Sequence, residues 1–150
     1  MRKNRRTRPL QSSPFDDAPP YVPNEQPVAI YRKLFDAKKE SKKFILCFLG
    51  VIPCIDLYVN GKFVGYSEGA HNTAEFDITE FVTDGENEIF AVIHKWSNAT
   101  FLECQDMFRE NGIFRDVLLT ELNKTYLYDL HLTLKQAHQK LIFLHQMIKL

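Results

Sequence analysis

The run CIDLYVNGKFVGYS, Cys54 to Ser67, decides the fold. Residues 54–59 and 62–67 are both rich in β-branched and aromatic side chains, and Asn60-Gly61 stands between them. Asn-Gly between two such runs is the strongest short-range hairpin signal, because both central residues of the tight turn must accept positive φ. The stretch therefore predicts two antiparallel strands joined by a two-residue turn.

The same pattern extends in both directions. VAIYRKLF (28–35) alternates with period two, and KFILCFL (43–49) is apolar on both faces, as a central strand should be. AEFDI (74–78) reads as a short strand, ITEFV (78–82) as one helical turn, and Asp84-Gly85 as a second turn. NEIFAVIHKW (87–96), DVLLTEL (116–122) and YLYDLHLTL (126–134) complete the strands. This set of short strands punctuated by turns predicts an all-β protein, an antiparallel β-sandwich. Ser12 to Pro27 holds five of the seven prolines and should lie extended on a surface. Only at the end does the period change. Leu134, Ala137, Leu141, Leu144 and Ile148 form the stripe of an amphipathic helix. The expected organisation is a basic leader (1–13), a sandwich (14–133) and a helical tail (134–150).

Composition narrows the classes. The chain has 150 residues, 45% apolar and 25% charged, the balance of a soluble globular domain. Nineteen basic residues balance nineteen acidic ones, so no global field favours nucleic acid or an acidic membrane. MRKNRRTR (1–8) is locally basic and reads as a disordered leader rather than a nucleic-acid arm. Cys47, Cys54 and Cys104 are too few for a disulfide framework and read as reduced thiols in a cytoplasmic protein. No apolar run follows the basic leader as in a signal peptide, and none reaches the roughly 20 residues of a membrane span.

Few residues carry chemistry by pattern. His131, His138 and His145 recur every seven residues, about 10 Å apart along a helix, too far to share one ion. His71 and His94 are isolated in sequence. No nucleophile elbow, phosphate loop or paired-histidine zinc motif occurs. The exception is FLECQDMFRENGIFRDV (101–117), which fits neither the helical nor the strand period and carries Glu103, Asp106, Glu110 and Asp116 among aromatics. A long irregular loop after a strong strand is usually a functional loop. Aromatic faces with a few carboxylates suit a sugar, whose CH groups stack and whose hydroxyls donate.

VNGKFVGYSEG (59–69), TAEFDIT (73–79), GENEIFAVIHKWS (85–97) and ECQDMFRENGIFRDV (103–117) resemble successive motifs of family 2 glycoside hydrolases, in particular the large bacterial β-galactosidases. PPYVPNEQPVAIYRK (19–33) is similar to the segment entering the same domain, so the resemblance spans about residues 14–133. It implies the N-terminal sugar-binding domain, a jelly-roll β-sandwich packed on a catalytic barrel. It implies that Asp106 lies near galactose hydroxyls and ligates sodium, together with that barrel, and that sodium and magnesium serve the full enzyme. Trp96 is expected beside the loop, with sugar stacking as a further role. Asn60, Gly61, Phe76, Ile78 and Gly112 read as architectural, and Arg115-Asp116 as an ion pair or loop clamp.

The departures are informative. The two catalytic glutamates of the family belong to the barrel and have no counterpart in this chain. Leu10 stands where the family has a galactose-contacting asparagine, Cys104 replaces an aspartate and Phe108 a tryptophan. The first strands of the domain are missing, so an exposed sheet edge and homo-oligomers are expected. The reading is a sugar-binding domain fragment of a β-galactosidase, inactive alone. The alternatives are a stand-alone carbohydrate-binding module or a subunit complementing a separate catalytic chain.

Overall fold

The computed structural model describes residues 19–40, 42–103, 111–130 and 146–149. The basic leader lies outside the described residues. The strands are β1 (Val28–Ala37), β2 (Lys43–Phe48), β3 (Val51–Ile52), β4 (Cys54–Val59), β5 (Lys62–Glu68), β6 (Ala74–Asp77), β7 (Gly85–His94), β8 (Gly112–Ile113), β9 (Val117–Leu122), β10 (Tyr126–Leu130) and β11 (Gln146–Lys149). A four-stranded sheet has the order β1-β7-β4-β5, and a three-stranded sheet the order β6-β2-β9. The short pairs β3-β8 and β10-β11 stand apart, and every pairing is antiparallel. The all-β sandwich expected from the sequence is present.

The decisive hairpin forms as its turn residues dictate. Asn60 has φ 51° and Gly61 φ 75°, the positive pair that a two-residue turn requires. The Asn60 side chain then knits this turn to the next. Its Nδ2 donates to Phe81 O (2.9 Å) and to Asn87 Oδ1 (2.8 Å), while its Oδ1 accepts from Glu88 N (2.9 Å). Asn87, 1% exposed, donates to the carbonyls of Thr83 and Gly85 and accepts from Thr83 N, each at 2.8 Å. Burial of an amide is tolerated because its donors and acceptor are satisfied. Val82 N donates to Ile78 O (3.2 Å), so residues 78–82 make the expected single turn.

Period two sorts the core. Ile55, Leu57 and Val59 on β4 face inward with Ile89, Ala91 and Ile93 on β7. Phe44, Leu46 and Phe48 on β2 face them from the other sheet with Phe76 on β6, and Phe48 meets Phe76 edge-on at 6.1 Å. Gly65 on β5 permits this closure, since a Cβ there would lie 3.3 Å from the Phe76 ring. β5 and β6 thus seal one side of the sandwich.

On the opposite side no further strand lies among the described residues. β1 and β9 are the end strands of their sheets, and both carry exposed residues on both faces. Val117 and Leu119 share a face with buried Phe48 and Leu46, yet remain exposed. Among the described strands β9 is an end strand, with β2 as its neighbour.

One expectation is corrected. The amphipathic stripe of the tail predicts a helix through Ile148, but Gln146–Lys149 is a strand paired with β10. Helical period is a weak prior, and a strand partner overrides it here. Residues 134–145 of that stretch lie outside the described residues.

Candidate functional site

The irregular loop is rooted by two feet at one end of the sandwich. The first begins where β7 stops. Lys95 N donates to Pro27 O (3.1 Å) and Trp96 N to Gln26 Oε1 (2.6 Å), which ties the proline-rich entry segment to this end. A 3-10 turn, Asn98–Phe101, follows, with Ser97 N donating to Thr100 Oγ1 (3.0 Å) and Thr100 N to Ser97 O (3.0 Å). Glu103 N then donates to Ala99 O (2.9 Å). The Glu103 carboxylate accepts from Ala70 N through both oxygens, at 3.0 and 3.1 Å. Gly69 N in turn donates to Pro53 O (3.3 Å).

The second foot lands beside the first. Asn111 Nδ2 donates to Lys95 O (2.8 Å). Gly112 and Ile113 pair with Ile52 and Val51 as β8 on β3. Phe114 N donates to Gly50 O (3.2 Å), and Leu49 N donates to Asp116 O (3.0 Å). Two glycines make the close approach possible. A Cβ on Gly50 would fall 2.7 Å from the Phe114 ring. Gly112 has φ +125°, and a Cβ there would fall 2.8 Å from Tyr31 Oη.

Asp106 lies between these feet and outside the described residues, with Cys104, Phe108 and Glu110. Trp96 is half-buried at the base of the first foot, with the Lys95 ammonium 5.2 Å from its ring centroid. The anticipated Arg115-Asp116 ion pair is not among those of the described residues. The Arg115 guanidinium instead lies over the Phe114 ring at 5.5 Å, and Asp116 clamps the loop through its backbone carbonyl. Glu103 is likewise an anchor in the described fold, holding a backbone N–H.

The outer face of the four-stranded sheet carries a polar group that sequence reading leaves unconnected. His94 Nε2 lies 2.7 Å from Asp56 Oδ2 across the β4-β7 pair. Tyr66 donates to Glu68 Oε2 (2.7 Å), and burial, reinforced by this carboxylate, pushes the phenol up. Burial also pushes the Cys54 thiol up, which makes it an unreactive, structural cysteine. Only the strand register brings Asp56 and His94 together, so period alone could not find them. Among the described residues no group of three or more His, Cys, Asp or Glu side chains is placed to hold a metal ion.

The family model for the sugar-binding domain of family 2 glycosyl hydrolases matches residues 9–123. The chain belongs to this family. The β-galactosidase of Actinobacillus pleuropneumoniae is 43% identical over 116 residues, 77% of this chain and 12% of that protein. The β-galactosidase of Leuconostoc mesenteroides is 45% identical over 126 residues, 81% of this chain and 12% of that protein. That of Kluyveromyces lactis is 42% identical over 118 residues, 76% of this chain and again 12% of its own length. The family 2 domain described here thus spans about an eighth of the relatives it matches. A β-glucuronidase of Bacteroides uniformis shares the fold, with a TM-score of 0.62 at 24% identity over 69% of this chain and 13% of that one. A β-glucuronidase of Bifidobacterium dentium does so with a TM-score of 0.59 at 20% identity, over 73% of this chain and 23% of that one. No described helix is long and apolar enough to cross a membrane.

Proposed function

We propose that the chain acts as the sugar-binding domain of a β-galactosidase, with its loop 104–110 presenting Asp106 to a galactose hydroxyl. The observation that carries this reading is the double anchoring of the loop, at Glu103 on Ala70 and at Asn111 on Lys95, in a domain of the family 2 type. A loop held at both feet can present a side chain at low entropic cost. A carboxylate accepts from two hydroxyls at once, and charge-assisted bonds of this kind are strong and directional. A hard cation would suit the same carboxylate, but only with further oxygen ligands from elsewhere in a larger enzyme. Trp96, at the foot of the loop, offers an aromatic face for sugar CH groups.

Bond breaking is a separate matter. Retaining hydrolysis needs a proton donor for the leaving oxygen and a second carboxylate as nucleophile. The family resemblance assigns both glutamates to a barrel domain, so this chain binds and positions while a barrel cleaves. The test is to mix the purified chain with Leuconostoc mesenteroides β-galactosidase lacking the matching 126 residues, using a nitrophenyl galactoside. The chain alone should release no nitrophenol, and mixing should restore turnover that Asp106→Ala removes. Turnover by the chain alone overturns the reading, as does restored activity indifferent to Asp106→Ala. Millimolar galactose binding by the isolated chain in calorimetry would instead support a stand-alone module.

A further inference from the structure

The peptide group that joins Lys95 to Trp96 is held at both of its polar atoms by side-chain amides from two distant segments. Its carbonyl accepts from Asn111 Nδ2 (2.8 Å), and its N–H donates to Gln26 Oε1 (2.6 Å). The neighbouring sequence explains the second bond. β1 and β7 pair as far as Val28 opposite His94, and Lys95 N adds one further bond to Pro27 O (3.1 Å). Proline has no N–H to return, so the ladder stops there and the Trp96 N–H needs another kind of acceptor. The residue before a proline is biased to extended backbone, and Gln26 in that place supplies its side-chain carbonyl. On the other side of Trp96, Ser97 and Thr100 are 4% and 6% exposed and hydrogen-bond to each other. A planar peptide gripped at both ends, followed by a pinned residue, leaves the Trp96 Cα–Cβ bond a single direction.

We infer that Gln26 is a positioning residue for sugar binding: by holding the Trp96 N–H it aims the indole face on which the CH groups of a galactoside stack. This role presupposes the sugar binding proposed above and adds to it a residue outside the loop, seventy positions before Trp96 in the chain. An aromatic face already fixed in place loses less freedom when a ligand arrives. Gln26 is itself half-buried, so water can take over at the Trp96 N–H when its side chain is removed. The loss then falls on the placement of the ring rather than on the fold.

Trp96 is the only tryptophan in the chain, so its emission reports on the ring without a label. On the full chain, Gln26→Ala should move the emission maximum to longer wavelength and increase quenching by acrylamide. Gln26→Glu keeps an acceptor oxygen at the same reach and should match the wild type. Circular dichroism checks that each variant is folded. The consequence for sugar is read in the mixture with the truncated Leuconostoc mesenteroides β-galactosidase, again with a nitrophenyl galactoside. Gln26→Ala should raise KM about fivefold, the equivalent of about 1 kcal/mol and of one hydrogen bond, with kcat unchanged. In a Trp96→Ala background the same substitution should change KM little, because residues that act through one another are not additive. Unchanged emission in Gln26→Ala overturns the inference whatever the kinetics. So does an unchanged KM, an equal rise in KM with and without the indole, or a Gln26→Glu chain that behaves like Gln26→Ala. A wild-type mixture without turnover removes the sugar-binding role itself, and the inference with it, even where the emission shifts.

Discussion

Both carboxylate oxygens of Glu103 accept from one backbone N–H, that of Ala70, at 3.0 and 3.1 Å. Thirty-three residues separate the partners, so this bond joins the foot of the loop to the segment after β5. Ala70 is buried, and its N–H has little water to turn to. Glu103→Ala should therefore leave a buried donor unpaired, at a cost of about 1–3 kcal/mol. Glu103→Gln keeps one acceptor oxygen and should lose less. Urea midpoints of the two variants check the order, and equal midpoints would remove the anchoring role.

Asn87 should be among the most sensitive polar positions. Its amide satisfies the carbonyls of Thr83 and Gly85 and accepts from Thr83 N and Asn60 Nδ2 in a nearly sealed site. Asn87→Ala strands several of these groups, and a loss of about 2–4 kcal/mol is expected, from the cost of unpaired buried groups and the usual ceiling for one substitution. Asn87→Asp keeps the acceptor but loses the donors, and should fall between. Thermal unfolding read by circular dichroism measures both.

The hairpin at Asn60-Gly61 was legible because only a few residues accept positive φ twice in succession. β2 and β7 were legible from alternation, and the pairing of the sheets follows from which residues that alternation buries. Asn87 was missed, although a signal existed: it shares parity with Ile89, Ala91 and Ile93, a polar residue on a core face. The contacts Glu103–Ala70 and Asp56–His94 carry no local signal, because each depends on long-range register. The two-residue strands β3 and β8 exist only because the feet of the loop meet there, and no propensity marks them. The tail misled because its apolar positions fit a helical stripe, while the strand at its end is fixed by a partner.

Asp77 makes acid stability informative. Burial works to raise its pKa, but hydrogen bonds from the Thr79 hydroxyl and N–H, with the Lys43 charge, outweigh it and hold the carboxyl below its ordinary 3.8. A carboxyl depressed by folding stabilises fully above its unfolded value and loses that contribution as pH falls through the lower folded one. Asp77→Asn should therefore flatten the decline in stability below about pH 4, with little change in its slope at neutral pH. The side chain is half exposed, so the effect should be small and weaken with salt. Urea midpoints between pH 2.5 and 6 for both proteins decide it, and parallel curves would refute the assignment.

Gly112 tests the second foot by a pair of substitutions. Gly112→Ala meets two obstacles: the backbone has φ +125°, and the new methyl would sit 2.8 Å from Tyr31 Oη. Strained backbone of this kind costs about 1–3 kcal/mol, before any clash. The next Tyr31 atom, Cζ, would lie 3.9 Å away, so removing the hydroxyl removes the steric part alone. Gly112→Ala in a Tyr31→Phe background should accordingly lose less stability than in the wild type, while still losing the conformational part. Non-additivity of roughly 0.5–3 kcal/mol is the expected sign of a contacting pair. Strictly additive losses in guanidinium titrations would mean that Tyr31 does not press on this turn, and that the glycine is required for its backbone alone.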